Sequence, residues 1–185
     1  MFGLHRFIAI FVRPVILKTL SAKLVRPLKQ MIENSTNNTT NVRHAANMQA
    51  ALNLARAGLG STAENPSVGC VIVDPKGRIV GSARTAYGGR PHAETIALAQ
   101  AGDSARSGTA YVTLEPCSHH GKTGPCCDAL INAGVSFVYV ATLDPDPRVS
   151  GRGVTRLKAS GISVHVGLCE EGAKETNRGF LSRVE

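Results

Sequence analysis

The chain has no Trp, and only three Tyr and five Phe among its 185 residues. With so few aromatics, and no repeated interleaving of them with Lys or Arg, it offers no stacking platform for single-stranded nucleic acid. A long hydrophobic run is also missing. The apolar stretch 7–12 ends at Arg13-Pro14, far short of the roughly 20 residues that a membrane-spanning helix needs. Five cysteines are an odd number, and without a secretory signal they do not read as a disulfide framework. Acids are absent before Glu33, while Arg6, Arg13, Lys18, Lys23, Arg26 and Lys29 all fall in that stretch.

That asymmetry locates the net charge of +8. Residues 1–44 carry a net +6, and residues 45–185 only +2. The basic excess therefore belongs to an N-terminal extension, and the rest is nearly balanced. No nucleic-acid partner is expected. Leu17, Leu20, Leu24, Leu28 and Met31 recur every three or four positions, which predicts a basic amphipathic helix interrupted at Pro27. Such a segment fits an organelle transit peptide, a membrane-surface or partner helix, or an extension with no role. A cytoplasmic protein is expected, with organelle targeting or membrane-surface contact left open. Residues 34–41 read as a polar low-complexity linker, so the expected division is an extension and linker over 1–44 and one globular domain over 45–185.

Within that domain, helices and strands alternate. A helix is expected from Asn47 to a stop at Gly58, then a loop Asn65-Pro66-Ser67-Val68-Gly69 into an apolar strand over 70–73. Asp74-Pro75-Lys76-Gly77 is a turn returning through Ile79-Val80. A helix over 93–101 stops at Gly102, a strand covers 110–114, and Pro125 opens a helix that runs to Gly134. A strand over 135–141, a helix over 154–160, a strand over 162–166 and a helix from Glu170 follow. Alternation of this kind predicts an α/β fold, with a mixed sheet sandwiched between helices.

Chemistry concentrates in two short pieces. Pro91-His92-Ala93-Glu94 is one; the other runs from Glu115-Pro116-Cys117 to Pro125-Cys126. One imidazole and two thiolates, His92, Cys117 and Cys126, can hold Zn²⁺ and leave its fourth position to water, whose pKa the ion lowers to about 7. Glu94, two residues beyond His92, is better placed to move a proton than to act as a fourth ligand. A His-x-Glu followed by Pro-Cys is the signature of zinc deaminases. His119, His120 or Cys127 could instead close a structural zinc site. Both expected halves lie at helix starts after strands, where the unpaired N–H groups and the helix dipole favour a thiolate. Eight residues separate Cys117 from Cys126, where the general signature has two. The intervening loop carries His119, His120 and Lys122, which suits an anionic substrate.

Asn65-Pro66-x-Val68-Gly69, His92-Ala93-Glu94, the stretch from Tyr111 to His119, Gly121-Lys122-Thr123, Cys126, Asp144-Pro145-x-Pro147 and Gly151-x-Gly153 together resemble one family. It is the deaminase half of the bifunctional riboflavin-biosynthesis deaminase–reductases, and the resemblance covers residues 47–183. It implies a cytidine-deaminase-like three-layer α/β/α sandwich and Zn²⁺ as cofactor. The implied reaction is deamination of 2,5-diamino-6-ribosylamino-4(3H)-pyrimidinone 5′-phosphate to the corresponding dione, with release of ammonia. It places Asn65, His119, Lys122 and Asp144 at substrate-lining positions. Gly124 stands where this family usually has proline, and Asp146 where Asn is common. The end of the chain, from Asn177 to Arg183, resembles the connector into a reductase domain, and no reductase follows it. A separate reductase activity is therefore expected, and a homo-oligomer is compatible with the reading. Other base or nucleoside deamination, or a non-catalytic zinc-stabilised fragment, are the alternatives.

Overall fold

The structure is a computed structural model that describes residues 22–119, 124–146 and 150–184. Contacts divide the chain into two compact units, Met1–Val42 and Arg43–Glu185. Helix α1 (Ala22–Ala57) is one continuous element, which departs from the sequence reading in two places. Pro27 does not interrupt it, although a proline there forgoes one backbone bond and crowds the carbonyl four residues earlier. The polar stretch 34–41 is helical rather than a linker. No Gly or Pro lies between Leu28 and Ala57, and local bonds offset the poor propensity of Ser, Thr and Asn. Thr39 and Thr40 donate their hydroxyls to the carbonyls of Ser35 and Thr36, each at 2.9 Å. Residues 17–20 of the expected amphipathic helix lie outside the described residues.

In the second unit, a five-stranded sheet has the order β2-β1-β3-β4-β5. Its strands are β1 (Gly69–Val73), β2 (Ile79–Arg84), β3 (Thr109–Val112), β4 (Phe137–Val140) and β5 (Ser163–Val166). β1 pairs antiparallel with β2 and β3, while β3, β4 and β5 run parallel. The hairpin β1–β2 turns at Asp74, whose Oδ1 accepts the N–H groups of Lys76 and Arg78 at 2.9 Å. Helices α2 (Ala93–Ala101), α3 (Cys126–Ala133), α4 (Arg152–Ala159), α5 (Glu170–Thr176) and α6 (Arg178–Val184) complete the order.

Period-two alternation sorts the strand side chains between two cores. Cys70, Ile72, Ala110, Val112, Val138 and Val140 face one side and meet Ala97, Leu130 and Leu157 of α2, α3 and α4. Val71, Val73 and Tyr111 face the other and meet Met48, Ala51 and Leu52 of α1 and Ala173 of α5. The result is the α/β/α sandwich with a mixed sheet. A Cβ on Gly69 would collide with the carbonyl of Ala51, so the close seating of α1 on β1 requires glycine. On that face His44, Tyr139 and His165 stack, with ring centroids 4.4 and 4.9 Å apart, and Tyr111 lies 5.2 Å from Tyr139. His44 Nδ1 also meets the Tyr111 hydroxyl at 2.7 Å.

The sequence-predicted strand over 110–114 is shorter in the structure. β3 ends at Val112 and the chain bends at Thr113-Leu114, which turns Glu115 and Cys117 towards the carboxyl end of the sheet. Among the described residues no helix is long and apolar enough to cross a membrane.

Candidate active site

His92 is the residue before α2, extended at φ −69° and ψ 155°. Cys126 opens α3 behind an extended Pro125. Cys117 lies in the loop after β3, pinned to α3 by the Cys127 N–H donating to its carbonyl at 3.2 Å. Three loops therefore converge. His92 Nδ1 lies 3.3 Å from Cys126 Sγ and 3.8 Å from Cys117 Sγ, and the three donor atoms are all within 4.8 Å of one another. A tetrahedral zinc with bonds of about 2.0–2.3 Å sets its donors about 3.5–3.8 Å apart. The group fits that ion, in donor type as well as spacing.

Charge around the group is already arranged for a metal. Hydrogen bonds from the Cys126 side chain and from His92 and the Cys126 N–H bring the Cys117 thiol down to about 4. Beside that thiolate, and buried, the Cys126 thiol is pushed up. A divalent cation would relieve this conflict by taking both sulfurs as thiolates. Glu94, at the start of α2, is 4% exposed, and burial raises its carboxyl above the usual range. A carboxyl held so is suited to exchanging a proton.

Cys127, which the sequence left free to close the metal, is committed elsewhere. Its thiol donates to the carbonyls of Pro116 at 3.2 Å and Gly153 at 3.5 Å, and burial pushes it up to about 12. Among the described residues the potential metal group contains neither Cys127 nor His119. His120 and Lys122 lie outside the described residues.

A cavity of about 270 Å³ opens beside this group. Asn65, His119 and Asp144, the other described residues expected at the substrate, all line it together with His92, Glu94 and Cys117. Gly89 turns at φ +88°, and a Cβ there would strike Asn65 Nδ2, so the loop can close behind Asn65 only as glycine. Asp144 is buried; desolvation raises its carboxyl, with the nearby charges of Asp146 and Glu115 adding to the rise.

Four contributors were missed in the sequence. Arg90, Thr85 and Phe180 also line the cavity. Glu115, 4% exposed, accepts four backbone N–H groups: Gly153 at 2.9 Å, Gly151 at 3.0 Å, Val154 at 3.2 Å and Asp144 at 3.3 Å. It staples the loop carrying Asp144 to the loop carrying Cys117. Arg90 could have been suspected from its place beside Pro91-His92. Nothing local to Phe180 pointed at a site whose metal-type ligands lie more than fifty residues away in sequence.

Residues 41–142 match the cytidine and deoxycytidylate deaminase zinc-binding region. The chain is 48% identical over 137 residues to the diaminohydroxyphosphoribosylamino-pyrimidine deaminase of Buchnera aphidicola subsp. Schizaphis graminum, covering 74% of this chain and 92% of that protein. This chain belongs to the riboflavin-biosynthesis pyrimidine deaminases of the zinc-dependent cytidine-deaminase superfamily. Riboflavin biosynthesis protein RibD of Escherichia coli is 54% identical over 137 residues, covering 74% of this chain but 37% of the relative. The crystal structure of a diaminohydroxyphosphoribosylaminopyrimidine deaminase/5-amino-6-(5-phosphoribosylamino)uracil reductase from Thermotoga maritima superposes with a TM-score of 0.74 at 41% identity, covering 78% of this chain and 42% of that one. The chain thus spans about two fifths of the length of the RibD relatives it matches. Zinc is the cofactor of this family, and His92, Cys117 and Cys126 could hold it.

Proposed function

We propose that the chain is the hydrolytic deaminase of riboflavin biosynthesis that converts 2,5-diamino-6-ribosylamino-4(3H)-pyrimidinone 5′-phosphate and water to 5-amino-6-ribosylamino-2,4(1H,3H)-pyrimidinedione 5′-phosphate and ammonia. His92, Cys117 and Cys126 would hold the zinc. Bound there, the ion supplies a nucleophile at neutral pH by bringing the pKa of water to about 7. Glu94 would move both protons of the attacking water in turn, one to the ring nitrogen N1 beside the reacting carbon and one to the 2-amino nitrogen. The carbon–nitrogen bond then breaks, ammonia departs, and the water oxygen becomes the new ring carbonyl. Asn65, His119 and Asp144 bind and orient the pyrimidine and ribose, and Lys122 pairs with the phosphate as a point charge.

The observation that carries this reading is a buried Glu94 in one cavity with His92 and Cys117, beside Cys126. A site that used zinc for structure alone has no need of a buried acid two residues from a ligand, and structural zinc is normally closed by four protein ligands. Residues 45–185 carry the activity, and residues 1–44 stand outside it. A reductase, of the kind named in the Thermotoga maritima relative, acts next on the dione. Incubation of the substrate in heavy-oxygen water tests the chemistry. One heavy oxygen should appear in the dione for each ammonia released. Ammonia without label in the product would contradict hydrolysis at the ring carbon.

A further inference from the structure

The segment from Asn177 to Arg183 has so far no part in the chemistry, yet it is wired to the cavity. Asn177 is 3% exposed. Its Oδ1 accepts the Ser67 N–H at 2.9 Å, and its Nδ2 donates to the Ser67 carbonyl at 3.1 Å. One side-chain amide thus satisfies both backbone groups of a residue 110 positions away, much as a neighbouring strand would. The Asn177 carbonyl in turn accepts the N–H groups of Phe180 and Leu181, each at 2.9 Å, so the start of α6 hangs from the same residue. Arg183 Nη2 donates to the Glu64 carbonyl at 3.4 Å, a second tie to the same loop.

That loop is itself held. Ser67 Oγ donates to the Ala55 carbonyl at 2.7 Å, and the Val68 N–H donates to Thr85 Oγ1 at 2.9 Å. It carries Asn65 and Pro66, which line the cavity together with Phe180. Phe180 is half-buried against the core, and with Pro66, Val68 and Leu114 it makes up the apolar part of the lining. A flat heterocycle needs such a wall, with polar groups fixing its orientation.

We infer that Phe180 is a specificity-determining wall for the pyrimidine ring, and that Asn177 is the positioning residue that sets this wall against the Asn65 loop. The inference rests on the deaminase reading above. Phe180 has no ionisable group, so its contact is made with substrate and transition state alike. Uniform binding of that kind appears in KM and leaves kcat nearly alone.

The test is steady-state ammonia release by the full, zinc-loaded chain from the diaminopyrimidinone ribotide. Phe180→Ala should raise KM about tenfold with kcat within about threefold of wild type and zinc content unchanged. Phe180→Tyr should restore KM. Asn177→Ala should raise KM as well, and the double variant should be no worse than the poorer single one, because the two residues act as a unit. If Asn177→Ala fails to fold, the half-exposed Phe180 still decides. Wild-type turnover with KM unchanged in a folded Phe180→Ala overturns the inference alone. A folded, zinc-loaded wild type without turnover overturns the inference together with the deaminase reading.

Discussion

At Glu94 one carboxyl separates a zinc enzyme from a zinc-stabilised domain. Its burial and its place in the cavity suit proton transfer. Glu94→Gln keeps the shape and hydrogen-bonding capacity but holds no transferable proton. The variant should bind zinc as wild type does, measured by metal analysis, and lose about 10²–10⁴-fold in kcat. Retained turnover would remove Glu94 from the chemistry. At this scale the grouping of His92, Cys117 and Cys126 was legible in the sequence. His92, Cys117, Cys126 and Glu94 belong to residue types with few other reasons to recur in that order, whereas Asn65, His119 and Asp144, which line the cavity, were expected there only from the family resemblance. Glu115, Asn177 and Phe180 escaped because their roles arise from contacts between distant segments. A glutamate before Pro-Cys does not announce that it will gather four backbone N–H groups from the 144–154 region.

Between elements, that same glutamate joins the end of β3 to the start of α4. Glu115→Ala would leave buried donors without partners and should destabilise the fold by roughly 3 kcal/mol, read as a shift in the denaturation midpoint at constant slope. A loss near zero would mean that water replaces the carboxylate. On the opposite face, the part of α1 within the second unit meets the sheet through His44. Burial lowers this imidazole below its ordinary value of 6.5, and the charges of Arg43 and His165 lower it further; Tyr111 and Tyr139 are its ring neighbours. The folded chain therefore binds this proton less readily than the unfolded chain. The corresponding stability is present at neutral pH and is lost as pH falls through about 6.5 towards the lower folded value. Thermal midpoints should fall over that window, and less steeply in His44→Gln. Equal slopes would contradict the assignment. Element order was readable because strand and helix periodicities differ and Gly102 and Gly134 mark helix stops. α1 was not, because Asn-, Ser- and Thr-rich sequence is ambiguous between linker and helix until side chains such as Thr39 and Thr40 are seen to bond back to the preceding turn.

Over the whole molecule, positive charge and catalysis occupy different parts of the sequence. The excess of Lys and Arg lies in residues 1–44, whereas every residue assigned to the reaction lies beyond residue 64. A chain starting at Arg43 keeps the full second unit, including Arg43 and His44. It should retain KM and kcat within about twofold of the full chain, since substitutions far from shared contacts act independently. A large loss on this truncation would give the extension a part in the site. The three-layer architecture was foreseeable from the alternation of elements. Of the order β2-β1-β3-β4-β5 only the β1–β2 hairpin was, because the other pairing partners depend on which apolar faces meet once α1 to α4 have packed.

The most direct test combines ammonia release from 2,5-diamino-6-ribosylamino-4(3H)-pyrimidinone 5′-phosphate with zinc analysis of the same purified full chain. The account predicts turnover, about one zinc per chain as expected for a three-ligand catalytic site, and loss of both on chelation with recovery when zinc is restored. A folded chain that holds zinc and releases no ammonia would contradict it.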